Sequence, residues 1–225
     1  MREVDRPLRV ADCGVPGHSV EGRGGARVAR VLTGREYFYE AWCELVRDTI
    51  VAAPVLDLGT PEPFRKEMSV LRGHSPTPYI CLDIRPAAGV AVIGDGHSLP
   101  FADDSVGSIV CSHVLEHVAH PNVVIAEMHR VLRGGGRAYM TFLDMHPYHA
   151  SPGVYPDYHR FKRDAIDLLL KEWSAFEVLQ GGGLGHVAVG FVPAHLVRFG
   201  VWIANWIDRV RLTTATDVFY VSAVR

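Results

Sequence analysis

Between Gly94 and Phe142 the chain alternates two kinds of apolar spacing. Ser105 to Ser112 carries Val106, Ile109, Val110 and Cys111, a short apolar run of strand length. Val118 to Leu132 then sets Val123, Val124, Ala126, Met128, Val131 and Leu132 at helical spacing. Gly134, Gly135 and Gly136 predict the stop of that helix, because glycine accepts the left-handed conformation of a C-terminal cap. Arg137 to Phe142 resumes as a strand. Strand, helix and strand in this order predict parallel pairing across a crossover helix. Such sheets take ligands outside the carboxyl ends of their strands.

The same pattern extends in both directions. Met1 to Gly25 is rich in Gly, Arg and Pro and lacks periodicity, which predicts an extended or poorly ordered arm before one domain over residues 26–225. Ala26 to Ala52 predicts a helix broken near Gly34, with Tyr37, Phe38, Ala41, Trp42, Leu45 and Val46 as its apolar face. Strands are expected at Val55–Leu58, Tyr79–Asp83 and Val90–Ile93, with a helix from Phe64 to Leu71. Lys162 to Trp173 predicts a helix and Phe176 to Leu179 a strand. After a glycine loop at Gly181–Gly185, an extra helix is expected at Val192–Val210 and a last strand at Asp217–Val224. Alternation through Val218, Tyr220 and Ser222 suits an edge hairpin partner.

A chain of 225 residues is long enough for one buried α/β core. Hydrophobic content of 48% and charged content of 21% are ordinary for a globular protein. The net charge of −2, with Lys and Arg scattered, argues against a nucleic-acid partner. Cys13, Cys43, Cys81 and Cys111 are too dispersed for a disulfide framework and contain no Cys-x-x-Cys pair, so reduced cysteines in a cytoplasmic protein are expected. The charged N-terminus does not read as a signal peptide. No run approaches the roughly 20 apolar residues of a membrane span.

The acidic loop ending in Leu99-Pro100-Phe101, the strand, then Val114-Leu115-Glu116-His117 and a helix ending in Arg130-Val131-Leu132-Arg133-Gly134 strongly resemble class I methyltransferases that use S-adenosylmethionine (SAM), closest to their small-molecule branch. The resemblance extends from about Val55 to Val224. It implies an α/β, three-layer Rossmann-like fold, with a mostly parallel seven-stranded sheet and an antiparallel last strand. It also implies SAM as cofactor and methyl transfer to an oxygen or nitrogen of a small-molecule acceptor. The turn after the first strand, Asp57 to Phe64, would hold the methionine end: Asp57 would face the amino group and Gly59 would allow close approach. The family pattern places further glycines at 61 and 63, where this chain has Pro61 and Pro63. Proline lacks the N–H donor and stiffens the loop. Retained, weakened and lost SAM binding all remain open, the last giving a non-catalytic methyltransferase-like binding or scaffold protein. Asp83, at the end of the second strand and roughly 20 residues past the glycine turn, suits the ribose hydroxyls. Asp95 would take the adenine amino group and Gly96 or His97 would line the adenine pocket, although Asp-Gly also favours an Asx-turn by itself. Ser112 and His113 would flank the methionine part.

Twelve histidines invite a metal reading. His113 and His117 could share a helical face. The family-like Val-Leu-Glu-His already accounts for Glu116 and His117 as a turn that anchors the next helix, so no metal site is expected. His146 and His149, in the loop leaving the fifth strand, are the candidate catalytic residues, able to take a proton from an acceptor. The extra helix, with Phe199, Trp202, Ile203, Trp206 and Val210, has an aromatic and apolar surface that suits core packing, with a homodimer contact or a substrate lid as alternatives.

Overall fold

The computed structural model describes residues 20–21, 27–28, 35–50, 52–59, 73, 75–181 and 216–225. In chain order these form β1 (Val20–Glu21), β2 (Arg27–Val28), α1 (Arg35–Thr49), β3 (Val55–Leu58), β4 (Tyr79–Asp83), β5 (Val92–Ile93) and β6 (Val106–Cys111). A 3₁₀ turn (Leu115–His117), α2 (Pro121–Val131), β7 (Leu132–Leu143), α3 (Arg163–Leu169), β8 (Ala175–Gly181) and β9 (Val218–Val224) complete the order. The expected helix Phe64–Leu71, the loop beyond Gly181, the extra helix Val192–Val210 and most of the N-terminal arm lie outside the described residues.

One sheet runs in the order β1-β2-β8-β9-β7-β6-β3-β4-β5. Its body is the expected α/β arrangement of seven strands, β3 to β9, with the two short N-terminal strands added at one edge. β3 pairs in parallel with both β4 and β6, β4 with β5, and β6 with β7. β9 alone among these seven runs against its neighbours, β7 and β8.

Burial on both faces explains why the central strands read as continuous apolar runs. Leu56, Leu58, Ile109, Cys111, Met140 and Phe142 enter one core layer with α2 and α3. Their strand neighbours Val55, Val110, Tyr139 and Leu143 enter another with Trp42, Val46 and Ile50 of α1 and the residue after it. Tyr139 also donates its hydroxyl to Thr49 Oγ1 at 2.9 Å, which satisfies its polar end inside that layer. Among the described residues no helix is long and apolar enough to cross a membrane.

Three expectations need correction. The helix expected from Ala26 does not hold at Arg27–Val28, which pairs as a strand, and α1 runs from Arg35. The glycine run does not cap α2: Leu132 already leaves the helix in extended conformation (φ −73, ψ 136) and begins β7. The glycines instead form a bulge, for pairing with β6 jumps from Val106–Leu132 to Ser108–Arg137. Gly135 takes φ 76 there. The looped-out segment is pinned by Arg133, whose guanidinium donates to the carbonyls of Ala53, Asp104 and Ser105. Nor is β9 an edge strand. Paired along both sides, it is buried from Val218 to Ser222 and onward to Ala223. Alternation was the wrong signal, because the residues between Val218, Tyr220 and Ser222 are Phe219 and Val221, apolar as well.

Gly107 of β6 sits where a Cβ would lie 2.6 Å from the Ala53 carbonyl oxygen and 2.7 Å from the Ala52 backbone, neither of which is a yielding side chain. Gly107→Ala is expected to cost about 1–3 kcal/mol of stability, read as a lower Tm with unchanged secondary structure by circular dichroism.

Candidate active site

The carboxyl ends of β3, β4, β5 and β6 open into a cavity of about 620 Å³, a size suited to a small organic ligand. At its β3 end, Gly59 adopts φ 72, and a Cβ there would come within 2.6 Å of Val114 Cγ2. Both its conformation and its crowding therefore require glycine. Its N–H donates to the Leu82 carbonyl at 2.8 Å, tying the turn after β3 to the end of β4.

Asp83 and Asp95 reach the same cavity from the ends of β4 and β5. Each also closes its own turn. Asp83 Oδ1 accepts the Arg85 N–H at 2.8 Å, and Asp95 Oδ1 accepts the His97 N–H at 2.9 Å. That backbone bond, with the His97 ring adding to it, holds the Asp95 carboxyl below its usual range. Gly96 and His113 complete this part of the wall. His113 takes φ 55, unusual for a residue with a side chain, and donates its N–H to Thr141 Oγ1 at 2.7 Å. Asp57 and Ser112 are buried and do not line the cavity. Asp57 lies on the α1 side of β3 and accepts the Tyr79 hydroxyl at 2.9 Å.

The opposite wall is made of His117 at the end of the 3₁₀ turn, the residues that follow it and the loop after β7. His146 and His149 both line it, with their rings 4.9 Å apart. His146 Nδ1 lies 2.9 Å from Asp217 Oδ1, at the start of the last strand. With Nδ1–H donating to that carboxylate, Nε2 is the accepting nitrogen of the neutral ring. Burial, the largest influence, lowers the His149 pKa and favours neutral imidazole.

Arg160 holds the loop in shape. Its guanidinium grips both oxygens of Asp157 at 2.5 and 2.7 Å and donates to the carbonyls of His146 and Pro147. Asp157 in turn accepts the His149 N–H at 2.8 Å. The guanidinium keeps the Asp157 carboxyl well below the usual range. The backbone of Glu116 anchors the same loop by accepting the N–H groups of Tyr158 and His159, a contact with the segment beyond β7 rather than with the next helix. Its side chain is fully buried, beside His113, His117 and His149.

Seven of the nine expected site residues thus meet around one cavity: Gly59, Asp83, Asp95, Gly96, His113, His146 and His149. Sequence reasoning missed Asp217 as the partner of His146 and the Asp157–Arg160 clamp. The clamp lies in a loop, where i,i+3 spacing carries no helical signal. Nothing in the sequence ties Asp217 to His146. Thr60, Pro61, Glu62 and Pro63, where the glycine pattern is interrupted, lie outside the described residues.

A family model described as "Methyltransferase domain" matches residues 72–140. An uncharacterized methyltransferase of Mycobacterium avium (strain 104) is 36% identical over 139 residues, covering 62% of this chain and 47% of the relative. The chain therefore spans about half the length of that relative. An uncharacterized methyltransferase of Mycobacterium leprae (strain TN) is 33% identical over 202 residues, covering 81% of this chain and 68% of the relative. Among solved structures, a SAM-dependent methyltransferase from Archaeoglobus fulgidus superposes with a TM-score of 0.58 at 12% identity, over 85% of this chain and 95% of that one. At that identity the likeness speaks for the fold.

Arg160→Ala would leave the Asp157 carboxylate with the His149 N–H but without its cationic partner, and two loop carbonyls without their side-chain donor. The expected cost is about 3 kcal/mol. Hydrogen exchange should localise it, with the His149 amide losing protection while amides of β6 keep theirs.

Proposed function

The chain belongs to the class I SAM-dependent methyltransferase family, and from that premise we propose that its cavity binds SAM and passes the methyl group to an oxygen or nitrogen of a small-molecule acceptor. The observation that carries this reading is the convergence of Gly59, Asp83 and Asp95 on one cavity at the carboxyl ends of adjoining parallel strands. Asp83 accepts the two ribose hydroxyls, Asp95 the adenine amino group, and Gly96 lets the ring lie close. Gly59 gives the methionine end its approach, and His113 flanks it. Asp57 and Ser112 support this wall from behind.

The acceptor then occupies the side bounded by His146, Tyr155 and Tyr158. Its lone pair attacks the methyl carbon as the C–S bond breaks, and the sulfonium becomes the neutral thioether of S-adenosylhomocysteine. Little is needed beyond in-line alignment. For a hydroxyl acceptor, His146 Nε2 receives the released proton while Asp217 steadies the imidazolium that results.

One observation favours a second reading. Pro61 and Pro63 remove two N–H donors beside the expected methionine end, as suits a methyltransferase-like protein that binds a ligand other than SAM.

Titration calorimetry with S-adenosylhomocysteine separates the two. Binding on the order of micromolar, weakened about tenfold or more in Asp83→Ala, supports the methyltransferase reading; a tenfold change corresponds to about 1.4 kcal/mol. No heat from the wild-type protein at millimolar ligand supports the second. With a hydroxyl acceptor, His146→Ala is expected to lower kcat about 100-fold and leave S-adenosylhomocysteine affinity unchanged.

A further inference from the structure

Glu116 is fully buried, and neither of its carboxylate oxygens has a hydrogen-bond partner. A buried carboxylate that accepts no hydrogen bond is costly to keep, and native structures rarely keep one without a compensating group. Around it stands a set of imidazole nitrogens. His113 Nδ1 lies 3.6 Å from Glu116 Oε1, His117 Nε2 3.8 Å and His149 Nε2 3.9 Å.

These separations are too long for hydrogen bonds. They do suit atoms that share an ion, since two ligands each about 2.1 Å from a tetrahedral centre stand roughly 3.4 Å apart. One ligand atom from each of Glu116, His117 and His149 can be chosen so that all lie within 4.8 Å of one another.

The far side of each ring carries the second observation. His117 Nδ1 lies 2.5 Å from the Pro156 carbonyl oxygen. His149 Nδ1 lies 3.2 Å from the Pro147 carbonyl oxygen and 3.2 Å from Asp157 Oδ2. With the proton on Nδ1 in both rings, the lone pair is on Nε2, and in both rings Nε2 is the nitrogen turned to Glu116. Metal-bound histidines are oriented in this way by backbone carbonyls and carboxylates behind them.

We propose that Glu116, His117 and His149 bind a single divalent first-row transition-metal ion, of the zinc, cobalt or iron(II) type, at the acceptor wall of the cavity. Two imidazoles and one carboxylate select such ions over magnesium or calcium, which prefer oxygen donors throughout. His117 and His149 line the cavity, so an ion between them stands where an acceptor oxygen can complete its coordination. The site deepens the methyltransferase reading by giving the acceptor a metal-binding oxygen, and it leaves the base role to His146. Metal binding itself does not depend on SAM.

The test uses the full chain stripped of metal, titrated with Zn²⁺ by calorimetry and with Co²⁺ by visible absorption. The expected result is about one equivalent bound, a Co²⁺ d–d spectrum, and at least a tenfold loss of affinity in His149→Ala. His129→Ala, whose ring packs on Trp173 away from the cavity, should bind as the wild type does. No stoichiometric uptake by the wild type, or unchanged affinity in His149→Ala, overturns the proposal. If circular dichroism shows that His149→Ala does not fold, Glu116→Gln decides on the same terms. S-adenosylhomocysteine binding is measured separately without metal. Its presence alongside absent zinc binding removes the metal site alone, and the opposite pattern removes the SAM reading alone.

Discussion

The in-register parallel pairing of β3 with β4 on one side and β6 on the other is the constraint on which the molecule depends. Leu58 stands opposite both Leu82 and Cys111. The strands therefore end at one level, and the turns that leave them are delivered to the same place. β3 is buried along its whole length, so polar chemistry gathers beyond its end rather than along it. Asp57 is the exception, and its carboxylate is accommodated by the Tyr79 hydroxyl from the neighbouring strand. The turn at Gly59, the ends of β4 and β5, and the turn at His113 become walls of one cavity because the register leaves them no other position.

The second wall is held by charge rather than by the sheet. Asp157 and Arg160 close the loop after β7 and draw His149 and the His146 backbone into place. The buried Glu116 gathers His113, His117 and His149 around itself. Burial pushes its carboxyl up, but the neighbouring His113 and His117 outweigh that and hold it below its usual range. A fold seeking stability alone would place an apolar side chain there. Retaining a carboxylate among imidazoles is a local conflict of the kind expected where function is located.

The parallel core was legible because it is buried on both faces. Strands such as Val55–Leu58 and Val106–Cys111 leave no polar alternation to mislead, and the aspartates at strand ends stand out against them. Four features were not legible. The glycine run carries the composition of a helix cap, yet Leu132 enters its strand first, and only pairing with β6 shows the bulge. β9 carries the spacing of an edge strand, and its central position depends on β7 and β8 together. The His146–Asp217 contact joins residues on separate elements, and the burial of Glu116 depends on a loop that folds over it from beyond β7. Local pattern reports local structure, whereas these features arise from tertiary pairing.

Strand register brings the groups proposed to hold SAM to one cavity, and a crystal structure of the full chain with S-adenosylhomocysteine shows whether they act together. The ribose is expected on the Asp83 carboxylate, the adenine over Gly96 with its amino group toward Asp95, and the homocysteine at the Gly59 turn, with sulfur facing the His146 side. Ligand bound elsewhere, or a cavity that stays free of it at saturating concentration, would rule this arrangement out.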